Sequence, residues 1–301
     1  MDPPKPNIRH LVISGGANGG FAYIGALKVL QQNNVYDIDN IETIYATSIG
    51  TFVAIFITLG YDWSVIDEFL IKRPWGTTYK VTFETILNSI NTGGIFDKSA
   101  IVNTFKPLLE GKDLSTDITL KEYHEYCKKD IHYFATNINT YEIADFSHLT
   151  HPDWKLMDVI YASSCLPFLF PPLEVDGNLY FDGAALLNYP LNKSVSQGFP
   201  KDEILGIYKK NDTDEIPDVS FMNQDKKYKL INYITFLFKQ LWGKTKEKQK
   251  RTDIPYQIEI EFENGFFEIV KLLDTQAERE RLIRLGETCG HAFIQQHNFT
   301  L

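Results

Sequence analysis

Leu11-Val12-Ile13-Ser14-Gly15-Gly16-Ala17-Asn18-Gly19-Gly20 is the stretch that decides how this chain folds. The aliphatic and β-branched run predicts a strand over Arg9 to Ser14, because such side chains suit a pleated, buried surface. The glycines of 15–20 stop that strand in a tight turn. Beyond them Tyr23, Ile24, Leu27 and Leu30 recur at helical spacing. The unit is strand, glycine turn, helix, and it repeats. Ile41 to Ala46 reads as a second strand and Ser48 to Leu59 as a second helix, with Gly60 as its C-terminal stop. Strands alternating with helices imply an α/β fold, a mainly parallel central sheet covered by helices on both faces.

Working outward, Ile131 to Ala135, Leu179 to Phe181 and Ile204 to Tyr208 are further strand candidates. Between Pro74 and Asp113 lies a mixed, mostly helical region suited to capping a site. Ile254, Tyr256, Ile258, Ile260 and Phe262 alternate with polar residues, and Asn264-Gly265 then predicts a hairpin into a strand over Phe266 to Val270. The tail from Gln276 to Gln296 reads as an amphipathic helix. No internal repeat and no separating linker is visible, so the chain reads as a single domain with 191–301 as its C-terminal part.

Composition narrows the function classes. With 44% hydrophobic and 23% charged residues in 301, the chain is an ordinary globular protein with a sizeable core rather than a disordered one. A net charge of −9 argues against general nucleic-acid binding. Cys127, Cys165 and Cys289 are odd in number and widely spaced, which predicts neither a disulfide framework nor a metal clasp and points to a reducing, cytoplasmic compartment. The opening Met1-Asp-Pro-Pro-Lys-Pro6 has no apolar stretch behind a basic one and does not read as a secretory leader. Thr43 to Tyr61 carries no charge and approaches the length of a spanning helix. Its central Thr47-Ser48-Ile49-Gly50-Thr51 suits a turn better, so a buried strand, a sharp turn and a buried helix are expected there.

Three places can carry chemistry. Ser48 stands where a strand turns into a helix, with small Ala46 and Gly50 two residues away, as a nucleophile elbow requires. A plain serine N-cap fits the same residues. The turn Gly15 to Gly20 offers backbone N–H groups to an anion. No Lys-Ser/Thr follows it, and Ala17 occupies the middle glycine of the dinucleotide pattern, which leaves an oxyanion formed during acyl transfer or a ligand-free turn. Asp182-Gly183 follows the short strand Leu179 to Phe181, placed either as a base or as an ordinary Asp-Gly turn.

Taken in order, these segments resemble the patatin-like phospholipase family of lipid acyl hydrolases. Ser14 to Gly25 is similar to the family's oxyanion turn and first helix, and Ala46-Thr-Ser-Ile-Gly50 to its elbow. Gly94 to Asp97 and Ala135 to Thr140 are weaker echoes. Ala162 to Pro172 followed by Asp176 to Ala184 is the most specific block, so the resemblance runs from about Arg9 to Pro190. It implies a Ser–Asp pair, here Ser48 as nucleophile and Asp182 as base. It also implies an oxyanion hole from the amides of Gly15, Gly16 and Ala17, and no metal or cofactor. The substrate implied is a lipid carboxylic ester, most directly a phospholipid acyl chain.

The chain departs from the family pattern at Ala46, in place of the first elbow glycine, and at Ala17, where a positive φ would be strained. It departs again at Gly19, where the family commonly carries Arg or Lys. His291 and His297 follow Asp182 in the order of an α/β-hydrolase triad, but surface positions are expected for both. The other histidines show no metal-ligand spacing. Neutral acylglycerol hydrolysis, acyl transfer and a non-catalytic lipid-binding role are the rival readings.

Lys226 to Arg251 holds nine basic residues and one acidic, Glu247, with Leu230, Ile234, Leu237, Phe238 and Leu241 at helical spacing. Such a segment suits an anionic membrane surface, or a helix packed on the core whose lysines face water.

Overall fold

A computed structural model describes residues 5–210 and 252–299 and, between them, Tyr233 and Leu237. The glycine-turn unit forms its centre. Strand β1 (His10–Ile13) is fully buried and pairs in parallel with β2 (Thr43–Thr47) on one side and β7 (Ile204–Lys209) on the other. Outside these lie β3 (Asp130–Asn137), parallel to β2, and β8 (Tyr256–Ile260), parallel to β7. β4 (Glu142–Phe146), β5 (Leu173–Val175) and β6 (Asn178–Asp182) are the antiparallel strands, and the order is β5-β6-β3-β2-β1-β7-β8 with β4 also on β3. The expected α/β sheet, mainly parallel, is the one observed.

Alternation along the strands sends successive side chains to opposite faces. Leu11 and Ile13, Ile44 and Ala46, Tyr133 and Ala135 enter the large apolar cluster, while Val12, Tyr45 and Phe134 enter a smaller one. The large cluster is covered by α1 (Gly20–Gln32), α2 (Ile49–Thr58), α8 (Leu156–Ser164) and the C-terminal α12 (Gln276–Gln296). The small one is covered by α9 (Ala184–Leu187) and α10 (Leu191–Val195), through Leu187 and Leu191. Between β2 and β3 run α3 (Trp63–Lys72), α4 (Trp75–Thr78), α5 (Phe83–Thr92), α6 (Lys98–Glu110) and α7 (Leu120–Cys127), the mixed helical region expected from Pro74 onward. Asp97 caps α6 by accepting from the Ser99 amide, and Thr119 and Glu122 form a capping box on α7.

The uncharged segment Thr43 to Tyr61 is strand, turn and helix, and no helix among the described residues is long and apolar enough to cross a membrane. One expectation is overturned. Asn264-Gly265 makes no hairpin: β8 pairs in parallel with β7, and the following segment is helix α11 (Phe266–Asp274). Gly265 has φ 175°, extended rather than left-handed, so the primed turn that Asn-Gly favours does not form. Phe266, Ile269, Val270, Leu272 and Leu273 satisfy a helical period instead, with Phe266 and Leu272 buried. The basic segment 226–251 lies outside the described residues, apart from Tyr233 and Leu237, which are helical and exposed.

Candidate active site

The sheet register brings the elbow and the aspartate together. β2 pairs with β3 as far as Thr47↔Phe134, and β6 takes over the same edge of β3 from Ala135↔Asp182. β6 runs antiparallel, so its last residue arrives where β2 ends, beside Ser48. Ser48 Oγ donates to Asp182 Oδ2 at 2.6 Å. Its side chain caps no amide of α2, which removes the plain N-cap reading.

Ser48 has φ 55° and ψ −126°, a conformation that costs a non-glycine residue about 1–3 kcal/mol. Its surroundings hold it there. The Ser48 amide donates to Ser163 Oγ at 2.9 Å, and Ser163 Oγ in turn donates to the Phe134 carbonyl at 2.6 Å. Thr51 returns both its amide and its hydroxyl to the Ser48 carbonyl, at 2.8 and 2.7 Å. A methyl group at Gly50 would sit 2.6 Å from the Ile13 carbonyl oxygen, so α2 can start only with glycine two residues beyond the serine. Ala46, by contrast, is absorbed into the large cluster, fully buried on β2 between Ile13 and Tyr133.

Asp182 is fully buried, and Oδ1 accepts from the Ala184 amide at 2.7 Å. Around it the peptide is pinned: Asp182 N–H to the Cys165 carbonyl, Gly183 N–H to the Ser163 carbonyl, and Thr136 hydroxyl to the Asp182 carbonyl. A methyl group at Gly183 would lie 2.1 Å from the Phe134 carbonyl oxygen, so Asp-Gly here is a close backbone approach rather than a loose surface turn. Burial, and then the charge of Asp182, push the Cys165 thiol well up, which leaves it a protonated spacer.

The glycine turn sits on the other side of the serine, and a methyl group at Gly15 would be 3.2 Å from Ser48 Cβ. The Gly15 amide is committed to the Asn188 carbonyl at 2.8 Å, so the expected three-amide set narrows to Gly16 and Ala17. The Gly15 carbonyl accepts from the buried Tyr23 and Ser14 hydroxyls at 3.2 and 2.8 Å. In a trans peptide the next N–H points the opposite way, so these hydroxyls fix the direction of the Gly16 amide. Burial holds the Tyr23 phenol far above its ordinary range, and it remains a donor. Ala17 adopts φ 48°. Glycine relieves that strain at a smaller entropic cost, so Ala17→Gly is expected to raise stability by about 1 kcal/mol with turnover kept, as read from denaturant melts and ester hydrolysis. The absence of a side chain at Gly19 has a packing reason: a methyl group there would be 1.9 Å from Phe262 Cζ. The Phe262 ring fills the space, with Lys209 Nζ 5.5 Å from its centroid.

Ser48 and Ala17 open onto an apolar cavity of about 150 Å³. Its long wall is α2, through Ile49, Phe52, Val53 and Phe56, and Ser48 to Phe56 spans roughly 12 Å at the rise of a helix. Phe21 and Ile24 of α1 and Ile269 and Leu272 of α11 face it from other sides. The segment expected as a hairpin strand thus lines the cavity as helix α11.

The histidines are elsewhere. His291 is exposed on α12, and both ring nitrogens of His297 meet carbonyls, of Phe293 and Pro255. His10 bonds Thr43, His132 meets Asp145, His124 stacks on His148 at 3.6 Å, and His151 packs against Trp154. Ser163 and Tyr23 are the functional neighbours that sequence reasoning missed. Ser163 was visible in the Ala162 to Pro172 block, but nothing in a sequence tells which serine reaches an elbow 115 residues away.

Comparison with known proteins bears on the family and the fold. The Patatin-like phospholipase family model matches residues 11–193. A probable lipid hydrolase of Invertebrate iridescent virus 6 is 28% identical over 187 residues, covering 62% of this chain and 62% of that protein. An uncharacterized protein of Acanthamoeba polyphaga mimivirus is 27% identical over 187 residues, covering 62% and 61%. The matched part thus spans about three fifths of these relatives' length. Among solved structures, VipD from Legionella pneumophila shares the fold at a TM-score of 0.53 and 16% identity, over 98% of this chain and 68% of that one.

Proposed function

This chain belongs to the patatin-like phospholipase family, and from that premise we propose that it is a serine hydrolase releasing fatty acids from lipid carboxylic esters, with phospholipids as substrate. One observation carries the reading: a strained serine bonded to a buried aspartate at 2.6 Å, opening onto an apolar cavity of about 150 Å³.

The ester enters with its acyl chain along α2. Ser48 Oγ attacks the carbonyl carbon as its proton passes to Asp182 Oδ2, the route the hydrogen bond already defines. The Gly16 and Ala17 amides hold the oxyanion, while Gly15, tied to Asn188, keeps the turn in place. Removing one such donor typically costs ~10²–10³ in rate. As the tetrahedral intermediate collapses, Asp182 returns the proton to the leaving alcohol oxygen and the acyl group stays on Ser48. Water then attacks the acyl-enzyme as it loses a proton to Asp182, and on collapse Asp182 returns that proton to Ser48 Oγ and the fatty acid leaves. Free Cys127, Cys165 and Cys289 are consistent with work in a reducing cytoplasm.

The test is fatty-acid release from mixed phospholipid vesicles with EDTA present, alongside labelling by a fluorophosphonate. Release from phospholipid and a mass increment on the peptide bearing Ser48 are expected. Vesicles bound without release, and no label on Ser48, would make the protein a lipid binder. Release from acylglycerols alone would move the substrate class.

A further inference from the structure

Helix α5 turns most of its apolar residues to solvent. A helix packed on a water-soluble protein normally turns its apolar stripe inward. In α5, Phe83, Leu87 and Ile90, at the i, i+4, i+7 spacing of one face, are 61%, 50% and 82% exposed. Of its half-buried positions, Ile86 packs on the core while Thr85 and Ser89 are polar, and no residue of the helix is fully buried. The helix nonetheless has its own start and stop, a Thr82–Thr85 capping box and a left-handed Gly93. Its apolar face is thus a property of a well-terminated helix.

The position of α5 says what that face meets. The chain leaves the cavity wall at Tyr79 and returns to it at Phe96; both residues line the cavity, and their rings touch edge to face at 5.3 Å. Just past α5, Gly94 bridges to Phe168, and the Ile95 and Phe96 amides bond the Phe168 and Leu169 carbonyls. That loop supplies Leu166, Leu169 and Phe170 to the same cavity. Residues 80–95 are therefore an excursion from the rim of the acyl cavity, with an apolar face outward. The charges from residue 73 to 96 are Arg73, Lys80 and Glu84, a net positive strip in a chain of net charge −9. Arg73 lies 5.2 Å from the ring of Trp75, another cavity residue, and Lys80 is exposed next to the Thr82 cap.

We propose that the Phe83–Leu87–Ile90 face of α5 docks on an anionic phospholipid bilayer, seating the rim of the acyl cavity on the membrane. The proposal rests on the lipid-hydrolase reading for its partner, and it places a docking surface on α5. A membrane fits where a protein partner would not be required: the stripe is one helix wide, the exposed Lys80 beside it suits a lipid phosphate, and the cavity behind it takes what a bilayer supplies.

The test compares wild type with a Phe83→Gln, Leu87→Gln, Ile90→Gln triple variant, glutamine being a good helix former. Binding is measured by co-sedimentation with phosphatidylcholine vesicles with and without phosphatidylserine, and turnover on a water-soluble short-chain ester. Binding of the triple variant should be at least ~30-fold weaker, equivalent to about 2 kcal/mol, with soluble-ester turnover unchanged, which also reports an intact fold. Wild type should prefer the serine-containing vesicles. A second readout keeps the wild-type face nearly whole. A thiol-reactive fluorophore, attached through Ile90→Cys in a Cys127→Ser, Cys289→Ser background, should shift to the blue on vesicles. Equal binding by wild type and triple variant, or no shift, overturns the docking surface. Wild type that binds through α5 yet cleaves neither soluble ester nor lipid upholds the docking surface and overturns the hydrolase reading.

Discussion

Asp182→Asn is expected to lower turnover about 10⁴-fold, the size of the loss when the aspartate of a Ser-His-Asp triad is exchanged for its amide, and to leave the fold intact. Both oxygens of Asp182 are committed, Oδ2 to the Ser48 hydroxyl and Oδ1 to the Ala184 amide. Asparagine can keep its own Oδ1 on Ala184, so the turn survives. Its Nδ2 then faces Ser48 Oγ and donates where the carboxylate accepted. The serine keeps its proton, and nothing in the pair can take it. The same exchange removes a carboxylate from a fully buried position, a group that is costly to bury in its charged form, so the melting temperature should hold or rise. Ser48→Ala should lose a similar share of turnover and all fluorophosphonate labelling. Residues that act as a unit are not additive, so the double variant should be no worse than either single one. A His291→Ala, His297→Ala variant should match wild type, since the bonds of His297 run to backbone carbonyls and His291 faces solvent. An Asp182→Asn protein within tenfold of wild type on a soluble ester would remove Asp182 as the base.

The elements that could be read from the sequence are those whose signal is local. β1, the glycine turn and α1 follow one another without a gap, and each has its own periodicity. The uncharged run around Ser48 likewise read as strand, turn and helix because a turn needs small residues wherever it falls. Pairing was less legible. That Asp182 lands beside Ser48 depends on β6 replacing β2 along one edge of β3, a register that no single segment encodes. Ser163 matters because α8 packs its C-terminal end against both β3 and the elbow, again a long-range fact. The Gly15 amide could not be separated from its neighbours by sequence, since the acceptor that occupies it is the carbonyl of Asn188. Asn264-Gly265 misled for a related reason. The dipeptide has a strong local preference, but the apolar residues after it fit a helix that walls the cavity, and tertiary burial won. The exposed apolar residues of α5 escaped because periodicity gives the apolar face and not the direction in which it points.

The substitution expected to damage stability most is Gly286→Ala, although its local effect has the opposite sign. Within a helix, alanine is favoured over glycine by about 1 kcal/mol, so an isolated α12 would gain. In the folded protein the added methyl group would lie 1.8 Å from the Ala22 carbonyl oxygen of α1, and one at Gly25 would lie 2.1 Å from the Ile283 carbonyl oxygen of α12. The two helices therefore cross backbone on backbone, and no side-chain rotation can make room. α12 has to retreat along with what it carries. That includes Glu287, bonded to Lys28 at 2.5 Å, and Lys28 also holds Asp67 of α3 at 2.7 Å. Overpacking costs about 1–3 kcal/mol even where side chains can adjust, so a clash between backbones should exceed the gain in propensity and leave a net loss of about 3 kcal/mol. That corresponds to a fall in melting temperature of roughly 5 °C. Gly290→Ala on the same helix separates this from a general intolerance of α12. Its methyl group would meet Val29 Cβ at 3.0 Å and the Ala26 carbonyl oxygen at 3.1 Å, a misfit of a few tenths of an ångström that the propensity gain should nearly cancel. The consequence reaches the chemistry, because α1 begins at Gly20, immediately after the turn that carries the Gly16 and Ala17 amides. A displaced α1 shifts those donors, so the Gly286→Ala protein that remains folded should show a lower kcat on soluble ester, while Gly290→Ala keeps both its melting temperature and its turnover. Equal melting temperatures for the two variants would mean that α12 rides loosely on α1, and that the C-terminal segment beyond the family match does not set the geometry of the oxyanion turn.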